Sequence, residues 1–354
     1  MSSLLEMMPD VVMKKILKEC GFVAIQRLRK TCHTLRNFID DFPPDPLITE
    51  VSIGKDSERI TLCFSFSKFF PGDFSYLIYQ KVPYGTLLKD FPNGTFLKWD
   101  HQKVIKNMHP LHVFCQDFEL LLRGQKSIIE FFKIGFEYYN SDNWEQYEDA
   151  CGEELWEKLE NILPEKPKLK VKNLELIIPD QEGIMAILPF LDEKSIESLK
   201  FIDAIGTQGE RVLNIEKIIE LPHWKSARAL TIAEFSVSAP IQNFFHFENC
   251  SIYLESISID DINLIKNNSQ NSPNFIRFAV NFNLKINEHS LAVRDCEKFL
   301  FEKYGVPYIE DGRENTWFFK KDKETVLNLL ITPYSIVFER IRKERVPEGC
   351  SIWE

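Results

Sequence analysis

Between Met8 and Ile39 apolar residues return every three or four positions, the period of an amphipathic helix. Val12, Ile16 and Cys20 step by four with Met13 and Leu17 beside them, and Pro9 followed by Asp10 suits a first helical turn. Gly21 is expected to close this helix in the left-handed C′ conformation. A second helix carries Val23, Ile25, Leu28 and Cys32. Thr31 is the expected cap of a third, whose apolar face is Leu35, Phe38 and Ile39 while Lys30 and Arg36 stay solvated. "DDFPPDPLI", Asp40 to Ile48, holds three prolines and reads as a stiff linker. Short β runs follow over Ile48–Ile53, Arg59–Phe66 and Phe74–Tyr79, the second alternating with period two, with turn signals at Gly54, Pro71-Gly72, Pro83 to Gly85 and Asn93-Gly94. This predicts a small antiparallel sheet with no chemistry attached to it.

From about residue 117 strands and helices alternate. "FELLLRGQKSIIEFFKIGF" predicts a helix, a glycine turn and a strand over Ser127–Phe136; a helix follows over Glu148–Leu163 and stops at Pro164 and Pro167. Strands centred on Leu174, Leu199, Leu230, Ile252 and Phe278 come next, 25, 31, 22 and 26 residues apart, with helices through Ile184, Ile187 and Leu188 and through Ile215, Ile218 and Ile219. The spacing lies around the roughly 20–29 residues of a leucine-rich repeat. It predicts an irregular β/α solenoid, in which each half-covered unit needs its neighbours. A long helix ends at Gly305, and "TWFFKK", "TVLNLLIT" and "YSIVFERI" form a closing β meander. The expected fold class is thus α+β or α/β: three N-terminal helices, an antiparallel β spacer, then a leucine-rich-repeat-like solenoid closed by the meander. A doubly wound sheet is the weaker alternative, since no strand is followed by a glycine-rich phosphate turn.

Length and composition fit two or three globular units: 354 residues, 44% hydrophobic, 29 Phe. No apolar run reaches the roughly 20 residues that span a bilayer, and Lys14 and Lys15 interrupt the first apolar stretch, against a cleavable signal. The eight cysteines are scattered with no C-x-x-C pair, so reduced thiols and a cytoplasmic or nuclear location are expected. The net charge of −10 argues against nucleic acid. Yet residues 1–40 carry seven Lys and Arg against four Asp and Glu, a basic head on an acidic body. A head this small, with so much apolar surface, must meet the next domain or a partner, and its charge favours an acidic one.

Catalytic signatures are missing. There is no phosphate loop, dinucleotide fingerprint, nucleophile elbow or zincin motif. "HPLHVFC" sets His109, His112 and Cys115 at steps of three, but Pro110 intervenes and no fourth ligand is near, so a packed helix entry is the better reading. A base three residues from a thiol on one helix is poorly placed to activate it, which disfavours a Cys115–His112 pair. No enzyme, metal, cofactor, nucleic acid or membrane is expected.

Two resemblances add to this. Met8-Pro9-Asp10, Met13-Lys-Lys-Ile16-Leu17, Ile25-Gln-Arg-Leu28-Arg-Lys-Thr31-Cys32 and Leu35-Arg-Asn-Phe38-Ile39 together resemble the F-box, with Met8 in place of its leading Leu and Thr31 in place of its Val. The resemblance implies docking onto the Skp-type adaptor of a cullin-based (SCF-type) ubiquitin ligase through Met8, Pro9, Val12, Ile16, Leu17, Leu28 and Cys32. Further on, "IEKIIELPHWKSARALTI" looks like the FTH domain found behind F-boxes in a large nematode family, through Leu221, Trp224, Lys225, Ala227 and Leu230. That likeness extends loosely over residues 115–345 and implies protein interaction without catalytic residues. Trp224 is a weak candidate for touching a substrate protein; as a large aromatic between helix and strand it reads first as packing. The implied domains are 1–42, 43–114 and 115–345, with a tail over 346–354. The implied role is substrate recognition for the ligase, the alternative being a bridging protein whose degenerate F-box has no ligase role.

Overall fold

The computed structural model describes residues 8–66, 74–92, 101–136, 153–163, 167–206, 209–282, 289–310 and 314–354. The chain divides into two compact units, Met1–Leu174 with Ala186–Ser195, and Glu175–Met185 with Ile196–Glu354.

The first unit opens with α1 (Asp10–Glu19), α2 (Phe22–Arg29) and α3 (His33–Asp41). Met13 and Leu17 of α1, Ile25 of α2, and Leu35 and Ile39 of α3 close one small core, with Met8, Cys20, Leu28, Cys32 and Phe38 at its margin. Two expected caps fall elsewhere. Only Cys20 and Gly21 separate α1 from α2, too few for a left-handed stop followed by a fresh start. Gly21 therefore lies at φ −71°, ψ 159° and serves as the N-cap of α2, a position glycine tolerates well. Thr31 turns its hydroxyl back onto the Leu28 carbonyl, which moves the next helix start on by one residue. Cys32 caps α3 instead, its sulfur accepting the Leu35 N–H at 3.5 Å.

Five strands then pair antiparallel in chain order: β1 (Ile48–Lys55), β2 (Arg59–Phe66), β3 (Phe74–Val82), β4 (Gly85–Pro92) and β5 (His101–Lys106). The helix α4 (Pro110–Leu122) returns the chain to β6 (Ile129–Phe136), which lies parallel to the free edge of β1. The sheet order is β5-β4-β3-β2-β1-β6. Phe114 and Phe118 of α4 stack on each other and reach Tyr79 and Phe132 on the sheet below. Pairing of β6 with β1 puts the spacer and the start of the expected body in one sheet, so the boundary at residue 114 runs through a packed layer. The Pro71-Gly72 and Asn93-Gly94 turns lie outside the described residues, as do 148–152 of the helix expected from Glu148. Its remainder is α5 (Glu153–Ile162), with Leu155 and Leu159 fully buried. The division between the units falls within β7 (Val171–Ile178).

In the second unit the elements are α6 (Gln181–Met185), β8 (Ser198–Asp203), β9 (Arg211–Leu213), α7 (Glu216–Ile219), α8 (Pro222–Ser226), β10 (Ala229–Val237), β11 (Asn249–Tyr253), α9 (Ile259–Asn271) and β12 (Arg277–Asn281). The helix α10 (His289–Tyr304) and strands β13 (Tyr308–Glu310), β14 (Glu314–Lys320), β15 (Thr325–Thr332), β16 (Ser335–Arg342) and β17 (Ile352–Trp353) complete it. Strands β8 and β9 both pair with β10, and β10, β11 and β12 follow in parallel. There the direction changes. The meander β16-β15-β14 joins β12 antiparallel and continues the same sheet, with β13 and β17 beyond it on β14.

One apolar row crosses this sheet in register: Leu199, Leu230, Cys250, Phe278, Phe338, Leu329 and Trp317. Each is at most 3% exposed. Alternation of period two is what places them on one face. The connections differ from one another, from the 3₁₀ turn at Ile241–Phe244 to the 13-residue α9, which starts on a Ser258–Asp261 capping box.

Two outcomes follow from turns. Gly124 lies at φ +86°, and a Cβ there would stand 2.8 Å from the Pro44 carbonyl oxygen and 3.0 Å from the Pro43 Cβ. Gly124→Ala should therefore cost about 2 kcal/mol or more, from the left-handed backbone and the overlap together, read by urea unfolding. At the β14–β15 turn, Asp322 accepts the Thr325 hydroxyl, the N–H groups of Glu324 and Thr325, and Arg340. The Thr325 hydroxyl first, then the Glu324 N–H, hold its carboxyl down at about 2 against an ordinary 3.8. A depressed acid stabilises the fold above its unfolded value and loses that contribution as pH falls through the folded one. Melting temperatures measured from pH 4 down to pH 2 should thus fall less steeply in Asp322→Ala than in the native chain.

Candidate docking surface on the helical head

The helix α1 has three differently occupied sides. Met13 and Leu17 face the head's own core, at 4% and 1% exposed. Pro9, Val12 and Ile16 run along one flank at helical spacing; Pro9 and Val12 are exposed and Ile16 is half-buried. Lys14 and Lys18 occupy another flank, with Lys15 also exposed. Of the seven residues proposed from sequence for adaptor contact, the structure gathers Pro9, Val12 and Ile16 on one accessible stripe. Met8, Leu28 and Cys32 are half-buried against the core. Leu17, 1% exposed, belongs to the core of the head rather than to that stripe. Val11 was missed: it is 67% exposed and has Lys14 and Lys15 as its neighbours one turn on, so no apolar stripe announced it.

The head is seated on the sheet of its own unit. Phe22 stacks on Phe66 and meets Phe64 edge-on, with ring centroids 5.6 and 6.4 Å away. Asp40, near the end of α3, accepts Arg29 Nε at 2.7 Å and Arg123 from the end of α4 at 3.4 Å. Hydrogen bonding to Arg29 holds the Asp40 carboxyl below its ordinary range. The proline segment is bound as well. Asp45 accepts the Ser127 N–H at 2.8 Å, and Gln125 exchanges hydrogen bonds with the Ile48 N–H and carbonyl.

The other sequence candidates have structural employment. Trp224 is 2% exposed, donates its indole N–H to the Asn243 carbonyl and packs against Phe244 and Phe247. The ring, offered from sequence as a weak candidate for substrate contact, is thus packed between α8 and the 3₁₀ turn at Ile241–Phe244. His109 caps α4, accepting the Leu111 N–H, while His112 faces Gln116. Burial pushes the Cys115 thiol up to about 11, the opposite of an activated nucleophile.

A polar centre that sequence reasoning missed lies at the carboxyl ends of β8 and β10. Glu234 has φ +66° and marks a register shift in β10, beyond which β9 replaces β8 as its partner. Asp203, fully buried, pairs with Arg211 at 2.8 Å, and Arg211 also donates to the Pro179 carbonyl. Burial, then the Asp203 charge, push the Glu234 carboxyl up.

Comparison with known families finds two matches. Residues 5–47 match the F-box domain, and residues 153–293 match the FTH domain. The chain carries both. No curated protein and no solved structure matches it. F-box domains typically bind Skp-type adaptors, and the F-box and FTH families are generally non-catalytic adaptor or interaction domains. In this F-box the stripe of Pro9, Val12 and Ile16 lies wholly within the matched residues.

Removing a charge partner tests the buried polar centre. Arg211→Ala leaves the Asp203 carboxylate buried without its guanidinium, and should cost about 2–3 kcal/mol by chemical denaturation. Asp203→Asn combined with Arg211→Ala should recover part of that loss.

Proposed function

We propose that this chain is the substrate-recognition subunit of a cullin-based, SCF-type ubiquitin ligase. The F-box docks the Skp-type adaptor, and the FTH domain holds a target protein. The observation that carries the reading is the accessible stripe of Pro9, Val12 and Ile16 on a head whose core is already closed by Met13, Leu17, Ile25, Leu35 and Ile39. Apolar side chains left outside a complete core mark a contact surface. Catalysis then belongs to the other subunits. This chain raises the local concentration of its target near the ubiquitin carrier, an effect of tethering that needs no reactive group of its own. The seven described cysteines are free thiols, which suits a reducing cytoplasm or nucleus as its place of action.

The test is a pull-down of purified Skp-type adaptor by the native chain and by Val12→Asp and Ile16→Asp. A carboxylate buried in an apolar contact costs several kcal/mol, so both variants should lose the adaptor while their circular dichroism and unfolding midpoints stay near native. Adaptor retained by both variants would remove the stripe from the contact. A native chain that binds no adaptor would favour the bridging role without ligase activity.

A further inference from the structure

A groove of about 490 Å³ runs along the second flank of α1, between that helix and the proline segment. At roughly 100° per residue, Lys14 and Lys18 lie about 200° around the helix from Val12 and Ile16, so the groove and the stripe open on different sides. Phe42, 44% exposed, and Leu47 form its apolar floor. Lys14, Lys18 and Lys126 stand around it. Lys14 lies 3.5 Å over the Phe42 ring, and among the described residues none of the three lysines has an ion-pair partner. Lys14 and Lys18 are one turn apart on the same helix face, an arrangement that is unfavourable until an anion joins it. Two carboxylates also line the groove, but they differ in availability. Asp45 is engaged by the N–H groups of Leu47 and Ser127 and by the Ser127 hydroxyl, whereas Asp41 is exposed at the end of α3.

We propose that this groove is a second interaction surface, one that receives an acidic, extended peptide segment carrying an apolar side chain. The carboxylates of the segment meet the three lysines, and its apolar side chain rests on Phe42 and Leu47. Charge complementarity selects the occupant: three lysines with no carboxylate partner among the described residues surround an apolar floor in a chain that is acidic overall. The groove opens on a different side of α1 from the stripe of Pro9, Val12 and Ile16.

Fluorescence anisotropy tests this with a fluorescein-labelled decapeptide of Glu residues around two Leu, set against the same peptide with Gln for Glu. The full chain should bind the Glu peptide at least tenfold more tightly than the Gln peptide, and less tightly as salt is raised. Lys18→Glu with Lys126→Glu should lower the affinity at least tenfold, and Lys18→Gln with Lys126→Gln by less. Val12→Asp should leave it unchanged, which separates this surface from the adaptor contact. Equal binding of the two peptides, or native affinity in the charge-reversed chain, would overturn the proposal.

Discussion

Asp40 is the point on which the first unit turns. It belongs to the last turn of the head, yet one of its two arginine partners, Arg123, comes from the far end of α4. Each exposed ion pair on its own contributes little. Here the pair coincides with two kinds of contact that do not depend on charge: the Phe22, Phe64 and Phe66 rings, and the close seat of Gly124 against Pro43 and Pro44. Together they turn a run of prolines from a spacer into part of the packed structure. An undersized three-helix unit gains the support that its own five core residues do not provide.

That support explains how α1 can carry so many different side chains in ten residues. One side closes the core, one exposes apolar residues, and one gathers lysines. A helix held only by its own head would have to favour its apolar side to stay folded. Anchored through α2 and α3, α1 is free to leave Val12 and Ile16 accessible and to set Lys14 and Lys18 side by side. A helix on a fixed base also has little conformational freedom left to lose on any association.

Much of this was legible in the sequence, for local reasons. Helical spacing found α1 to α3, and the recurrence of strand centres with the closing meander found the strands whose residues form the apolar row. Leu199, Leu230 and Phe278 were placed within it directly, and Ile252 lies two residues from Cys250, on the same face. What failed was not local. Ile16 and Leu17 are adjacent and equally apolar, and only the positions of α2 and α3 decide which of them is buried. Cys32 became a cap because the Thr31 hydroxyl found a nearer acceptor in Leu28. The parallel pairing of β6 with β1 joins residues some eighty positions apart, and the left-handed Glu234 answers to a partner switch between β8 and β9. Neither leaves a trace in hydropathy. Trp224 was readable as packing from its setting between helix and strand, and that is the role it has.

The separation between Asp40 and Arg123, 83 residues, also bears on how the molecule is made. Asp45 must likewise wait for Ser127, 82 residues later, and Ile48 for Gln125. On the ribosome the head emerges before the groups that hydrogen-bond to Asp40 and Asp45 from α4 and the turn after it. At about 5–20 residues per second, roughly 4–17 seconds pass before its seat is synthesised. Throughout that interval Asp40 lacks Arg123 and Asp45 lacks Ser127, partners that hold them in the finished fold. The anchorage of the head is thus completed only after the strands β1 to β5 have all been made.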